Sequence, residues 1–324
     1  MNITVTGGAG FIGSAFVRLL LHGVLGFEKL RKLTVLDSLT YSGNLKNLDA
    51  VSLDPRLEVR VVSINDESLI KELVIGQDFI FNFAAESHVD RSISDANLFI
   101  KTNINGAFNI FNASLKAKVP KIIHISTDEV YGSTTSTPFT EESNLEPNSP
   151  YAASKASSDL LARSFFKTHQ LPIIITRCSN NYGYYQHPEK LIPLAITNLL
   201  LGKKIPLYGN GQNEREWIHV DDHCNAIALI ALSGKFGEIY NIGGSNRISN
   251  INLAKKILKI MGADESQIEF IEDRKGHDFR YALDSSKLAK LGFKETVDFE
   301  AELLNLVAWY KTNQAWWRPI TDTM

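Results

Sequence analysis

Residues 4–13 read TVTGGAGFIG, and this stretch decides the fold. A β-rich run, ITVT (3–6), delivers the chain to Gly7, Gly10 and Gly13, spaced GxxGxxG, with an overlapping GxGxxG at Gly8, Gly10 and Gly13. FIGSAFVRLLL (11–21) then carries the apolar periodicity of a helix. Glycines at such a turn let the backbone bend tightly and approach a pyrophosphate, whose charge sits on the N–H groups of the helix N-terminus. Ordinary tight turns use glycine too, so the next strand matters. LTVLD (33–37) closes on Asp37, where a carboxylate accepts hydrogen bonds from the adenosine ribose hydroxyls and repels a 2′-phosphate. The pair of signals predicts a site for NAD in preference to NADP.

Working outward, short β-rich runs alternate with helix-length stretches: LEVRVV (57–62), DFIFNFAA (78–85), then a long helix near 95–118, KIIHIS (121–126), a helix over 150–169, and PIIIT (172–176). The strands are continuously apolar, as a parallel sheet buried on both faces requires. This predicts an α/β fold, a Rossmann-type doubly wound parallel sheet. After Arg177 the alternation loosens into CSNNYGYYQHPEK, a helix near 190–202, a strand IPLY, a polar turn GNGQNERE, then WIHV, GEIYNIGG and two C-terminal helices. The expected division is 1–177 as the NAD-binding domain and 178–324 mainly as a smaller C-terminal substrate-binding lobe. The chain is expected to return to the first domain around 220–242.

With 324 residues, 44% hydrophobic and 22% charged, the chain suits a soluble globular protein with a large core. A net charge of −2 without a Lys/Arg block argues against nucleic acid or an anionic membrane as partner. The opening MNITVTG lacks a basic n-region and signal core, and the longest greasy run, LIPLAITNLLL, reads as a buried helix. Cys178 and Cys224 form no CxxC, which fits a reducing cytoplasm. His219 and His223 lie four apart around Asp221-Asp222. A strand end followed by a helix cap separates them better than a helix would join them, so no metal site is expected.

Two further motifs carry chemistry. Tyr151-Ala-Ala-Ser-Lys155 opens a helix and puts a phenol and an ammonium on one face. The ammonium favours the phenolate and draws its pKa down from ~10, so Tyr151 is a candidate base for an alcohol. STDEVYG (126–132) sets Thr127, Asp128 and Glu129 together at a strand end. Successive strand residues point to opposite faces, so both acids reach one substrate only if the strand stops there.

Together these motifs resemble the extended short-chain dehydrogenase/reductase family, whose members mostly act on nucleotide sugars. Thr-Asp-Glu narrows the resemblance to the dTDP-glucose 4,6-dehydratases. It continues through LDSLTYSGNL, AAESHVDRSI, SPYAASKASSD, RCSNNYG, PEKLIP, NEREWIHVDDH, YNIGG, DRKGHDFRYALD and the terminal WW. The family's chemistry implies oxidation of C4 by a tightly bound NAD that is regenerated each turnover. Glu129 removes the C5 proton, protonated Asp128 releases the C6 hydroxyl as water, and the hydride returns to C6. Thr127 and Tyr151 act at the C4 hydroxyl, and Lys155 holds the nicotinamide ribose.

The same resemblance implies further cofactor contacts at Phe11, Ile12, Ser38, Thr40, Ser63, Ile64, Ala84, Ala85, Ser87, Thr102, Cys178 and Asn180. The substrate would be held by Glu86, Ser87, Thr127, Asn180, Glu189, Lys190, Leu191, Pro206, Tyr208, Arg215, Asn250, Arg274 and His277. Arginine suits a diphosphate because its fork matches phosphate oxygens. His88, Asp90 and Arg91 are expected to be structural. Three positions depart from the family pattern: Ser63-Ile64 where an Asp contacts adenine, a contact either lost or supplied by Asn65 or Asp66; Tyr184 for a proline; and Phe279 for an arginine. The last two are placed near the nucleotide end. The family pattern also implies a homodimer through the helices near 95–118 and 150–169. Still open at this point are a nucleotide-sugar 4-epimerase, which needs no acid pair, a UDP-sugar 4,6-dehydratase, and a cofactor-sensing regulator without turnover.

Overall fold

The computed structural model describes residues 1–322. The expected second lobe therefore loses only 323–324, which lie outside the described residues. In chain order the strands are β1 (Asn2–Thr6), β2 (Lys32–Asp37), β3 (Leu57–Val61), β4 (Phe79–Asn82), β5 (Ile122–Thr127), β6 (Ile173–Cys178), β7 (Asn180–Tyr182), β8 (Ile205–Tyr208), β9 (Glu214–His219), β10 (Ile239–Ile242), β11 (Asn246–Ser249) and β12 (Ile268–Ile271). Seven of them form one parallel sheet in the order β10-β6-β5-β4-β1-β2-β3. The order reverses between β1 and β4. In a doubly wound sheet ligands bind at that switch point, beyond the carboxyl ends of the strands.

Two apolar layers enclose the sheet. On one side Phe16, Val17 and Leu20 of the helix Phe11–Leu21 and Ile227 and Ile230 of the helix Val220–Ser233 pack with Ile3, Val5 and Phe81. On the other, Ile110, Phe111, Ala162 and Phe165 pack with Leu36, Ile80 and Ile122. Because β10 pairs with β6, and Val220–Ser233 shares the first core layer, residues 220–242 return to the large sheet. A third cluster is centred on Ile192, Leu207, Trp217, Leu253, Leu303, Tyr310 and Trp317 and belongs to the remaining elements. There β11-β9-β7 and β12-β8 form small separate sheets.

Two elements differ from the expectation. LEVRVV is not a doubly buried strand, because β3 closes one edge of the sheet. Val61 is 65% exposed, and Glu58 pairs with Lys32 across to β2. The long helix near 95–118 is interrupted, with Asn97–Phe99 and Ala107–Ala117 flanking a π-helical segment, Ile100–Gly106. At Gly106 a Cβ would stand 2.5 Å from the Ile64 side chain, so the helix passes the turn after β3 there at glycine's distance. The wider turn brings Thr102 to the cleft and Asn103 onto the Glu86 backbone, accepting from its N–H at 2.9 Å and donating to its carbonyl at 2.9 Å. Insertions of this kind recur at functional sites. Among the described residues no helix is long and apolar enough to cross a membrane.

Candidate active site

The carboxyl ends of β1, β2, β4, β5 and β6 open into a cleft of about 270 Å³. Its floor is the glycine turn. A Cβ on Gly7, where φ is +67°, would stand 2.7 Å from Ala84 N, and one on Gly13 would stand 2.2 Å from Gly7 O. Neither position admits a side chain, and the helix N-terminus lies open to the cleft. Asp37, 8% exposed, accepts from Ala9 N at 2.9 Å and Leu39 N at 2.8 Å. Burial pushes its carboxyl up, while the N–H groups of Leu39, Ala9 and Gly10 hold it down. This cradle fits a dinucleotide. Every residue expected to touch the cofactor, from Gly7 to Asn180, lines the cleft. Asp66 is not available to replace the missing adenine contact, since it caps the helix Glu67–Leu73 by accepting from Leu69 N. Asn65 folds onto Ser63 instead.

The acid pair sits where β5 ends. Thr127 caps a single 3-10 turn, Asp128–Tyr131, and its Oγ1 accepts from Glu129 N at 3.2 Å. Gly132 ends the turn at φ +81°, where a Cβ would meet Glu146 O at 2.4 Å. The tighter turn, replacing strand alternation, lets both acids line the same cleft. Asp128 is 3% exposed. Its Oδ1 accepts from Thr127 Oγ1 at 3.2 Å, and its Oδ2 is buried without a hydrogen-bond partner among the described residues. Burial, then the neighbouring Glu129 and Glu216, push its carboxyl well above the usual range. Burial raises Glu129 too, against the pull of Lys190 and Arg215.

Tyr151 and Lys155 reach the cleft from the helix Pro150–His169, which Ser149 caps through Ala152 N at 3.1 Å, with Pro150 in its first turn. The expected lowering of the phenol pKa by Lys155 is not found. Lys155 donates to Ile125 O at 2.7 Å, and the phenol is raised by burial and by the nearby acids Glu129 and Asp128. Burial lowers the Lys155 ammonium. The physical reason is desolvation, which outweighs an ammonium already turned toward a carbonyl.

A second cavity of about 360 Å³ adjoins the first and shares Ser87, Glu129, Asn180, Gln186, Glu189 and Lys190 with it. All the expected substrate residues line it except Glu86 and Thr127, which line the first cleft. The two arginines are less free than a phosphate fork implies. Arg274 is held bidentately by Asp90, Nε to Oδ1 at 2.6 Å and Nη2 to Oδ2 at 2.7 Å. Arg215 lies over the Tyr281 ring and donates to the carbonyls of Glu214, Asp278 and Phe279.

Several expectations are corrected here. Asp90, expected to be structural, lines the cavity while it holds Arg274, and Tyr208 donates to it at 3.1 Å. His88 also lines the cavity while capping the helix Val89–Ser94. Tyr184 and Phe279 line neither cavity. Tyr184 packs 5.6 Å from the Trp309 ring in the second-lobe core, and Phe279 is 48% exposed, touching Arg215 only through its backbone. Gln186, Trp217 and Tyr281 line the second cavity and were not expected. Their side chains are ordinary core or loop residues in one dimension. His219 ends β9 and caps the next helix through Asp221 N, whereas His223 bonds Asn181 from inside that helix.

Comparison with known proteins follows this geometry. The family model described as GDP-mannose 4,6 dehydratase matches residues 4–305. A dTDP-glucose 4,6-dehydratase of Streptomyces niveus is 49% identical over 99% of this chain and 96% of its own length. The crystal structure of a dTDP-glucose 4,6-dehydratase from Streptomyces venezuelae, with NAD bound, is 52% identical and superposes with a TM-score of 0.98 over 99% of this chain and 100% of that one. A UDP-glucose 4-epimerase from Thermotoga maritima shares the architecture, with a TM-score of 0.87 at 29% identity over 97% of this chain and 100% of that one. The chain belongs to the GDP-mannose 4,6-dehydratase family and, within it, to the dTDP-glucose 4,6-dehydratases of the extended short-chain dehydrogenases/reductases.

Proposed function

We infer that this protein is a dTDP-glucose 4,6-dehydratase, a hydro-lyase converting dTDP-glucose to dTDP-4-keto-6-deoxyglucose and water. The observation that carries the reading is the acid pair. Asp128 and Glu129 share one 3-10 turn, line the same cleft as Tyr151, and Glu129 stands at the junction of the two cavities. A 4-epimerase needs Tyr151 and Lys155 but has no use for two further acids at that junction.

NAD, held by the glycine turn, Asp37 and Lys155, supplies the hydride acceptor for C4 and the hydride that C6 receives. Tyr151, whose phenol burial and the nearby acids raise, would take the C4 hydroxyl proton once ionised beside the positively charged nicotinamide, while Thr127 hydrogen-bonds the same oxygen. Oxidation makes the C5–H acidic, and Glu129 removes it. Asp128, whose carboxyl burial raises, delivers its proton to the departing C6 hydroxyl. Glu129 afterwards returns a proton to C5. Two adjacent carboxyls can hold opposite protonation states because Lys190 acts on Glu129 while Asp128 faces Glu129 and Glu216; Arg215 pulls on both.

We assign the cofactor to the large-sheet unit, 1–177 with the return at 220–242, and the nucleotide sugar mainly to the remaining lobe. The homodimer forms on the helices at 97–117 and 150–169, where Leu98, Ile100, Phe108 and Leu160 are 41–56% exposed. Both cysteines are buried free thiols, which supports a cytoplasmic setting. Incubating the purified protein, without added NAD, with dTDP-glucose and UDP-glucose separately tests the reading. Loss of one water and a new methyl proton signal from dTDP-glucose are expected. An unchanged mass with galactose-type signals would replace the dehydratase with an epimerase, and turnover of UDP-glucose alone would reassign the base.

A further inference from the structure

The terminal Trp316-Trp317 pair takes no part in the chemistry above. Trp317 is fully buried in the second-lobe core and donates its Nε1–H to Tyr310 O at 2.7 Å. Trp316 belongs to the same cluster, its ring 5.3 Å from that of Trp309. Its Nε1–H donates to Asn47 Oδ1 at 2.9 Å, a contact between residues 269 positions apart. Asn47 is 2% exposed and donates Nδ2–H to Ala9 O at 2.9 Å. An indole N–H only donates and a carbonyl only accepts, so the Asn47 amide has one orientation that satisfies both. Ala9 lies within GGAGFIG, between Gly8 and Gly10. Its N–H is given to Asp37 Oδ2 at 2.9 Å, so the glycine turn is gripped on one side by the ribose-binding acid and on the other by Asn47, backed by Trp316, beside the Asn44 N–H that also donates to Ala9 O at 3.0 Å. A cavity of about 110 Å³, lined by Phe11, Gly43, Asn47, Tyr185 and Trp316, lies beside this tie. It gives the turn room to shift if the tie is cut.

We propose that Trp316 and Asn47 form a latch through which the C-terminal helix Gln314–Thr321 holds the glycine turn in its dinucleotide-gripping shape, and so controls how slowly NAD leaves. The proposal rests on the placement of NAD given above. Trp316 and Asn47 are positioning residues, since neither lines the cofactor cleft and both act through Ala9. A molecule that regenerates its cofactor each turnover gains from slow release, and a tie between the two lobes supplies it without occupying the site.

The test measures release of NAD from the purified holoenzyme into a coupled dehydrogenase that reduces each freed molecule. Trp316→Phe keeps an aromatic ring, though a smaller one, and removes the donor, and Asn47→Leu removes the link at the other end. Each is expected to speed release about threefold to tenfold, the worth of one buried hydrogen bond. The double variant should be no faster than the faster single one, because both cut the same tie. Trp317→Phe serves as the structural control, lowering the thermal midpoint with release unaltered. Unchanged release in Trp316→Phe, multiplying effects in the double variant, or equal acceleration by Trp317→Phe would overturn the latch. A wild-type protein that neither retains nor rebinds NAD would overturn the cofactor placement itself, which is a different outcome.

Discussion

Replacing Asp128 by Asn removes the acidic proton and little else. Oδ1 is already occupied by the Thr127 hydroxyl, and Oδ2 is buried without a partner among the described residues, so the carboxyl proton belongs on Oδ2. Asn keeps the volume and the acceptor for Thr127 but offers an amide that cannot surrender a proton to the C6 hydroxyl. Solvent has little access as a substitute, since Asp128 is 3% exposed. General acid catalysis is worth about 10²–10⁴-fold, or about 2.7–5.5 kcal/mol of barrier, and kcat should fall by that factor. Glu129 is untouched, so the C5 proton should still exchange with solvent. In D2O, proton NMR of the recovered substrate should show deuterium at C5 while the methyl signal of product is slowed. A loss of kcat under about tenfold, or loss of C5 exchange in Asp128→Asn, would refute the assignment.

Glu129→Gln should show the complementary pattern, with C5 exchange abolished together with product, as read in the same NMR experiment. The raised carboxyl of Glu129 must be ionised to act as base, so the acid limb of kcat/KM should lie above the ordinary glutamate value of 4.5, activity falling as pH drops through it. Stability has the opposite sense for Asp128. A folded-state carboxyl raised above its unfolded value of 3.8 costs nothing below that pH and costs stability as pH rises above it, by about 1.4 kcal/mol per unit until the folded group ionises. Asp128→Asn should therefore melt higher than the wild type at pH 7 and lose that margin near pH 4 in calorimetry. Gly13→Ala drives a methyl into Gly7 O, and a clash costing about 1–3 kcal/mol should leave purified protein with most of its NAD lost, measured by the nucleotide content of the heated supernatant. Leu160→Glu should halve the mass seen by analytical ultracentrifugation, because it charges the exposed face assigned to the dimer.

The parallel sheet was legible because doubly buried strands write continuous apolar runs, and the glycine turn because its spacing has one physical use after a strand. Thr127, Asp128 and Glu129 were legible as a local motif, though only coordinates reveal the 3-10 turn that aims both acids at one cleft. What stayed hidden joins distant residues. Asp90 holds Arg274 across 184 positions, and nothing near ESHVDRS announces a partner in DRKGHDF. Trp316 and Asn47 read as core and surface residues until the chain folds. The phenol pKa was misjudged for a related reason: spacing places Tyr151 and Lys155 on one helix face, but it does not reveal that Lys155 spends its proton on Ile125 O or how deeply both are buried.

The central claim is that the hydrogen taken from C4 is the one delivered to C6 within a single active site. Turnover of dTDP-glucose carrying deuterium at C4 measures this directly. The account predicts a product lighter by one water that retains the label, with the deuterium in the C6 methyl group. Label washed into solvent, or label still at C4 of a sugar nucleotide of unchanged mass, would contradict it.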